Sequence, residues 1–386
     1  MALRLLPWAP EYGTALQADA HEAEAAIDVA VEGPWRAVAA PARARARAAL
    51  PSLCIVDGVR RAEAHALDEG AGGELQFGLF GSYATGAVVV DRDGARVIDD
   101  AIHVERRLFQ TGGAPSTLEL RSGAATLRFR AQLPPHASSA NDLVAALNRA
   151  MLDDEAKLAE QLSRDTGALT LVDGPLRLRS PGPRVVGYVK RVHRWYLDGA
   201  QQRLLVQLRM GERTPLFRIL EGGHERSSWY LRIAELSPHF HPLAGVVRLE
   251  APGALPTAEV VALAEQCAAA LPRLASSPVR DPRSPQNLIA VGALERELTR
   301  RLGDRRWVGR LLHVHVGGAR PEALAAPAGL LDLRAEPSAS DATDVPEPSP
   351  PGPRAPGRGE GEQERVAGAI SLGRGGGEQG RMGAVA

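Results

Sequence analysis

ALTLVDGPL, residues 168–176, is a short, uninterrupted apolar run closed by Asp173 and Gly174. A run of this kind, ended by a turn, is what a strand covered on both faces looks like, and such strands sit inside sheets sheathed by helices. Immediately upstream the apolar period is about 3.6. Leu143, Leu147, Met151, Leu158 and Leu162 share one side of a helix predicted from the region of Asn141 to Leu162.

Further upstream the texture changes again. SLCIVDGVRRAEAHAL (52–67), LQFGLFGSYATGAVVVD (75–91) and ARVIDDAIHVERRLF (95–109) are β-rich and separated by DEGAGGE and DRDG, which predicts an antiparallel meander. STLELRSGAATLRFRAQL (116–133) reads as a further hairpin. Before residue 51 the composition suits helices, including PARARARAAL (41–50), whose Arg43, Arg45 and Arg47 read as a solvated helix face more readily than as phosphate contacts.

Downstream come VVGYVKR, RLLVQLRM, PLFRIL and SSWYLRIAEL, read as a second β-rich block, then helices near Thr257 to Leu274 and Leu288 to Leu302. Antiparallel strands, a helix, a buried strand, then more strands and helices make an α/β fold. In outline it is the ribonuclease-H-like arrangement, a mixed sheet with flanking helices and here a β-rich insertion. The expected organisation is an N-terminal helical segment over 1–50, one domain over 51–318, and a Pro/Gly-rich tail over 319–386. That tail carries too little apolar surface to order itself.

With 46 basic and 46 acidic residues the formal net charge is zero, so any hold on a polyanion must come from patches. Cys54 and Cys267 lie in apolar runs without ligand spacing, which reads as reduced core thiols. The opening MALRLLPWAP lacks the pattern of a signal peptide and no apolar run reaches bilayer length, so a soluble, cytoplasmic, membrane-independent protein is expected. Motifs of serine hydrolases, P-loop NTPases, zinc proteases and zinc ribbons are missing.

Two apolar strands end in Asp-Gly: CIVDGVRR presents Asp57 and LTLVDGPL presents Asp173. One such pair is ordinarily a turn. Two on the most apolar strands raise a second reading, because a carboxylate at a buried strand end is costly unless something cationic meets it, and the glycine leaves room for a close ligand. On the helix between them, Glu155 shares the face of Met151, Leu158 and Leu162, whereas Asp154 and Glu160 point elsewhere. Three hard oxygen donors suit Mg²⁺ or Mn²⁺, and an ion pair of that kind serves phosphodiester cleavage; an ion pair with a nearby Arg is the plainer role for Glu155. Lys157 and Lys190 are the only lysines, and Lys190, closing an apolar strand, is a candidate for touching a phosphate. His239 and His241 in SPHFHPL lack a partner acid or cysteine and read as loop.

DGVRR at Asp57, MLDDEAKL at Glu155, VDGPL at Asp173, GYVKR at Lys190 and DPRSPQNLIAVGALERELTRRLGD from Asp281 together resemble the NurA nuclease family in its bacterial form. The resemblance implies a ribonuclease-H-like core and Mn²⁺-dependent DNA cleavage, as a 5′-to-3′ exonuclease and single-strand endonuclease. It also implies a homodimer docked on a hexameric HerA-type ATPase. It makes Asp57, Glu155 and Asp173 metal ligands, with Asp154 and Glu160 competing for the place of Glu155. Two departures stand out: DGVRR where many archaeal members have Asp-Gly-Ser, and Gly292 and its neighbours where those members carry a histidine. Asp281, Gln286 or Asn287 are candidates to fill that gap. A noncatalytic adaptor of such an ATPase, and an enzyme acting on RNA or a hybrid, are the competing readings.

Overall fold

In a computed structural model the chain enters the fold through three short strands, β1 (Arg4–Leu5), β2 (Ala26–Asp28) and β3 (Val38–Ala39). The described residues are 4–5, 25–41, 52–69, 73–114, 116–123, 125–176, 184–190, 194–235, 242–277 and 286–317. Within the described part of 1–50 the helical expectation is therefore corrected. The β-branched residues of AIDVAV favour extended backbone, and Gly33-Pro34 blocks helix continuation. Arg213 fixes this segment by donating from both terminal nitrogens to Glu32 at 2.7 Å each. Arg43, Arg45, Arg47, His239, His241, Asp281 and the tail over 319–386 lie outside the described residues.

The expected meander forms. β4 (Leu53–Glu69), β5 (Leu75–Asp91) and β6 (Gly94–Gln110) are antiparallel strands of 17 residues each, and β7 (Leu118–Ser122) with β8 (Ala125–Gln132) makes the hairpin. Helix α1 (Ala140–Thr166) follows. Its N-cap is Ser139 rather than Asn141, in a capping box with Asp142, and Gly167 at φ 62° closes it. Then come β9 (Leu169–Asp173) and β10 (Val185–Val189).

RLLVQLRM, expected as a strand, is instead part of α2 (Gly199–Gln207). Asp198 caps it by accepting from the backbone N–H groups of Ala200 and Gln201, and that cap wins over the run of branched side chains. β11 (Glu212–Arg213), β12 (Phe217–Glu221), β13 (His224–Arg232) and β14 (Val246–Pro252) complete the strands. α3 (Thr257–Ala270), α4 (Ile289–Arg301) and α5 (Arg305–Leu312) complete the α-helices among the described residues.

The strand order is β2-β12-β13-β14-β10-β9-β4-β5-β6-β8-β7. Its centre reads β6-β5-β4-β9-β10, with the first three antiparallel, β9 parallel to β4 and β10 parallel to β9. That is the ribonuclease-H-like order. The later β-rich strands widen the same sheet, since β14 pairs with β10 and β13 with β14.

Helices cover both faces. On one, Leu53, Ile55, Leu169 and Leu171 share a core with Leu263 and Cys267 of α3 and Leu294 and Leu298 of α4. On the other, Val56 and Val172 pack with Leu158 and Ala159 of α1. β9 is thus covered on both sides, as its apolar run requires. Cys54 and Cys267 are buried free thiols, and burial pushes that of Cys267 up to about 12. No helix among the described residues is long and apolar enough to cross a membrane.

Leu147 of α1 is fully buried and sits over Gly81 of β5. Leu147→Ala should cost about 2–5 kcal/mol of folding free energy, read as a lower urea midpoint at unchanged slope.

Candidate functional site

Parallel pairing of β4 with β9 runs in register from Leu53 against Leu169 to Val56 against Val172. The next residues on each strand are Asp57 and Asp173. Because side chains alternate, Asp57 shares the face of Ile55 and Asp173 that of Leu171, which is the α3–α4 face in both cases. The two aspartates therefore stand abreast on neighbouring strands, whose spacing is about 4.8 Å.

The two Asp-Gly pairs do different things. β9 ends at Asp173, and Gly174 turns at φ 111°, as expected. The loop it starts is pinned: the Gly174 N–H donates to the Tyr188 carbonyl at 2.9 Å, and the Leu176 N–H donates to Glu250 Oε2 at 2.9 Å. β4, in contrast, runs straight through Asp57-Gly58 to Glu69, so Asp57 is not at a strand end. Gly58 is needed for space. A Cβ there would overlap Glu155 Oε1 and come within 2.9 Å of Met151 Cγ. The helix face predicted for Glu155 is the one observed, and its side chain is buried against Gly58. It reaches β4 from the α1 side, opposite to the face of Asp57 and Asp173. Asp154 accepts from the Tyr83 hydroxyl at 2.6 Å and from Lys157 at 2.7 Å. Glu160, expected to point away, is also buried and lies 3.8 Å from Arg164.

Lys190 closes β10 and reaches the pair. Its Nζ donates to Asp173 Oδ2 at 2.6 Å and to Asn287 Oδ1 at 3.0 Å. Asn287 is held just ahead of α4, its carbonyl accepting from the Ser276 N–H at 2.9 Å. Gln286 takes part through its backbone: its carbonyl accepts from the Tyr188 hydroxyl at 2.7 Å, and burial, with the charge of Asp173, pushes that phenol well up. Of the two candidates for the histidine's place that lie among the described residues, Gln286 and Asn287, Asn287 is the one whose side chain meets Lys190. Glu295 of α4 was missed. Six residues along α4 from Ile289, it bears on Asp57 electrostatically, and only the packing of α4 on β4 and β5 brings it there.

Asp57 carries the electrostatic signature of the site. Burial first, and then the negative charges of Asp173 and Glu295, push its carboxyl well above the usual carboxylate range; Lys190 and the Gly58 N–H act in the opposite direction. Its Oδ2 is buried and accepts no hydrogen bond from the described residues. A buried carboxylate oxygen beside a second carboxylate fits a hard divalent cation in chemistry. Among the described residues no three His, Cys, Asp or Glu side chains are grouped closely enough to hold a metal in this arrangement. The pair is brought together, and Glu155 stands across the strand from it.

Residues 139–292 match the NurA domain family model, which bears out the resemblance over that segment. The match opens at the N-cap of α1 and closes in the first turn of α4, so it includes Glu155, Asp173, Lys190 and Asn287, while Asp57 and Glu295 fall outside it. No curated protein matches. Among solved structures, the crystal structure of the NurA nuclease from Sulfolobus solfataricus is similar at 12% identity, over 72% of this chain and 88% of that one, with a TM-score of 0.40.

A carboxyl raised in the folded state binds its proton more tightly there than in the unfolded chain. Stability must then fall as pH rises from the unfolded value, about 4, through the raised one. In EDTA, the melting temperature of the wild type should decline over that interval, whereas Asp57→Asn should flatten the decline and melt higher at neutral pH. Equal pH profiles for the two proteins would refute the assigned environment of Asp57.

Proposed function

We propose that this chain is a divalent-metal-dependent deoxyribonuclease in which Asp57 and Asp173 hold the metal, Glu155 supports the strand that carries Asp57 from its other face, and Lys190 meets the scissile phosphate. The observation that carries the reading is the abreast pair Asp57 and Asp173, two carboxylates kept together in a mostly apolar setting. The NurA domain match over residues 139–292 supports it. The fit is chemical: hard oxygen donors, one of them buried and without a donor among the described residues, suit Mn²⁺ or Mg²⁺.

A pair of such ions, when bound, supplies positive charge to the phosphodiester oxygens and a water acidic enough to attack at neutral pH. The protein's own groups do the rest. Lys190 neutralises Asp173 and presents a compact charge at the edge of the site. Asn287 keeps that ammonium from swinging away, and Gly58 lets Glu155 lie against the strand that carries Asp57. In the finer reading the activity is 5′-to-3′ exonuclease with single-strand endonuclease, Mn²⁺ is the preferred ion, and a homodimer works on DNA ends with a HerA-type ATPase.

A second reading is favoured by one observation, that Asp173 already has a cation in Lys190. On that reading the chain is a noncatalytic adaptor of the ATPase, and the acids serve only the fold.

Purified protein should degrade single-stranded DNA with Mn²⁺ or Mg²⁺ and stop on addition of EDTA. Asp57→Asn and Asp173→Asn should each lower kcat by at least about 100-fold, the scale on which loss of an electrostatic catalytic group registers, without lowering the melting temperature. Cleavage that persists in both variants would sink the assignment, and a metal-independent absence of cleavage would favour the adaptor.

Gly58→Ala separates room from chemistry. The overlap falls on the far end of the Glu155 side chain and on Met151 Cγ, both of which must shift, so folding should survive with a loss of about 1–3 kcal/mol. Activity should fall as far as in Glu155→Gln. An active Gly58→Ala enzyme would show that Glu155 need not lie where it does.

A further inference from the structure

We propose that Arg60 is a second phosphate-binding residue, gripping the backbone of the bound DNA strand on the α1 face of β4, across β4 from Asp57 and Asp173; the inference rests on the nuclease reading above. Three observations converge on it. First, Arg60 lies two residues beyond Gly58 on the same face of β4, so it stands about 7 Å along the strand from the seat of Glu155. Second, its Nε donates to Asn148 Oδ1 at 2.9 Å, which fixes the plane of the guanidinium. Asn148 is seven residues before Glu155 on α1 and therefore on the same helix face. Third, Arg60 is half-buried yet has no carboxylate partner among the described residues, and burial alone lowers its pKa.

Its neighbours are otherwise committed. Arg61 pairs with Glu63 and donates to the Gly303 and Leu302 carbonyls at the end of α4, and Arg106 donates to the same Leu302 carbonyl. Asp154, the acid on the side of Tyr83, the residue paired with Arg60 across β4 and β5, is taken by Tyr83 and Lys157. A guanidinium held by a neutral amide and withdrawn from water is costly to keep. A planar fork with its Nε fixed leaves the terminal nitrogens to meet an anion bidentately, which is the geometry of an arginine–phosphate contact. The approach is partly open: Leu53 to Asp57 are buried, whereas Gly58, Val59 and Arg60 are partly exposed, and among the described residues β9 stops at Asp173. A phosphodiester of the same DNA strand, away from the one being cut, is the anion that this position would hold.

The test measures binding of a fluorescein-labelled single-stranded oligodeoxynucleotide by anisotropy in EDTA, across a salt series, alongside melting temperatures. Arg60→Gln should weaken binding about tenfold and reduce the slope of log affinity against log salt by about one, with the melting temperature equal or higher. Arg60→Lys should keep the slope and lose several-fold in affinity, because the charge stays and the fork is lost. Asn148→Ala should fall between wild type and Arg60→Lys. Wild-type affinity and slope in Arg60→Gln would overturn the proposal, and should that variant not fold, wild-type affinity in Arg60→Lys overturns it alone. A wild type with no affinity for the oligonucleotide also removes it. Binding that depends on Arg60 in a protein that never cleaves DNA would instead end the nuclease reading and leave the phosphate contact standing.

Discussion

The parallel pairing of β4 with β9 is the constraint on which the site depends. Register fixes which residues stand abreast and the two-residue period fixes their face, so a slip of one residue would send one aspartate to the α1 side and leave the other behind. At about 5 Å and an effective dielectric near 20, two carboxylates repel by about 3 kcal/mol. Against this stand the six apolar side chains of the paired segment, Leu53, Ile55, Val56, Leu169, Leu171 and Val172, all buried between two helical layers. At about 1.5–3 kcal/mol for each side chain buried, they outweigh the repulsion several times over. The fold can therefore hold two acids together that would separate if left to themselves, and Lys190 removes part of the remaining cost.

Features written in local pattern were readable from sequence. The alternation in 52–109 and its turn residues gave the meander, the 3.6 period gave α1, and an apolar run too short for a helix gave β9 its burial on both faces. Asp57 and Asp173 were legible because a carboxylate at the close of an apolar run is conspicuous. Where two local signals conflicted, the reading failed. Leu204, Leu205 and Val206 argue for a strand, but Asp198 caps their segment as a helix; at Ala26–Asp28, an Ala/Glu-rich neighbourhood that suits a helix gives way to a short strand, β2, paired with β12.

Asn287 was one of three candidates that the sequence could not separate, and Glu295 was not legible at all, because nothing near them in the chain marks their role. Asn287 matters only since Ser276 holds its backbone and Lys190 arrives from β10, 97 residues away. Glu295 sits on a helix with Glu297 nearby, and only the seating of α4 over β4 and β5 decides which acid turns inward. Long-range packing chooses among residues that are locally equivalent. A search for the missing histidine near Gly292 was therefore looking for an identity, whereas the folded chain fills the neighbourhood with an amide and a carboxylate drawn from either side of that glycine.

The two glycines after the aspartates show how one dipeptide can serve two physical needs. Gly174 is required for its backbone angle, since the chain must leave β9 at once and return through the loop pinned by Glu250. Gly58 sits in an ordinary strand and is required for the side chain it lacks, because Glu155 occupies that volume. The same difference shapes the opening. β9 has 5 residues and β4 has 17, so beyond Asp173 no strand among the described residues pairs with that edge of β4 at Gly58, Val59 and Arg60, which are partly exposed. Ligands of α/β sheets collect outside the carboxyl ends of strands, and here the unequal lengths create such an end in the interior of the sheet. The acids, the lysine and Arg60, which has no carboxylate partner among the described residues, all border that step, so the length mismatch between two neighbouring strands sets a buried charge cluster beside a partly exposed stretch of β4.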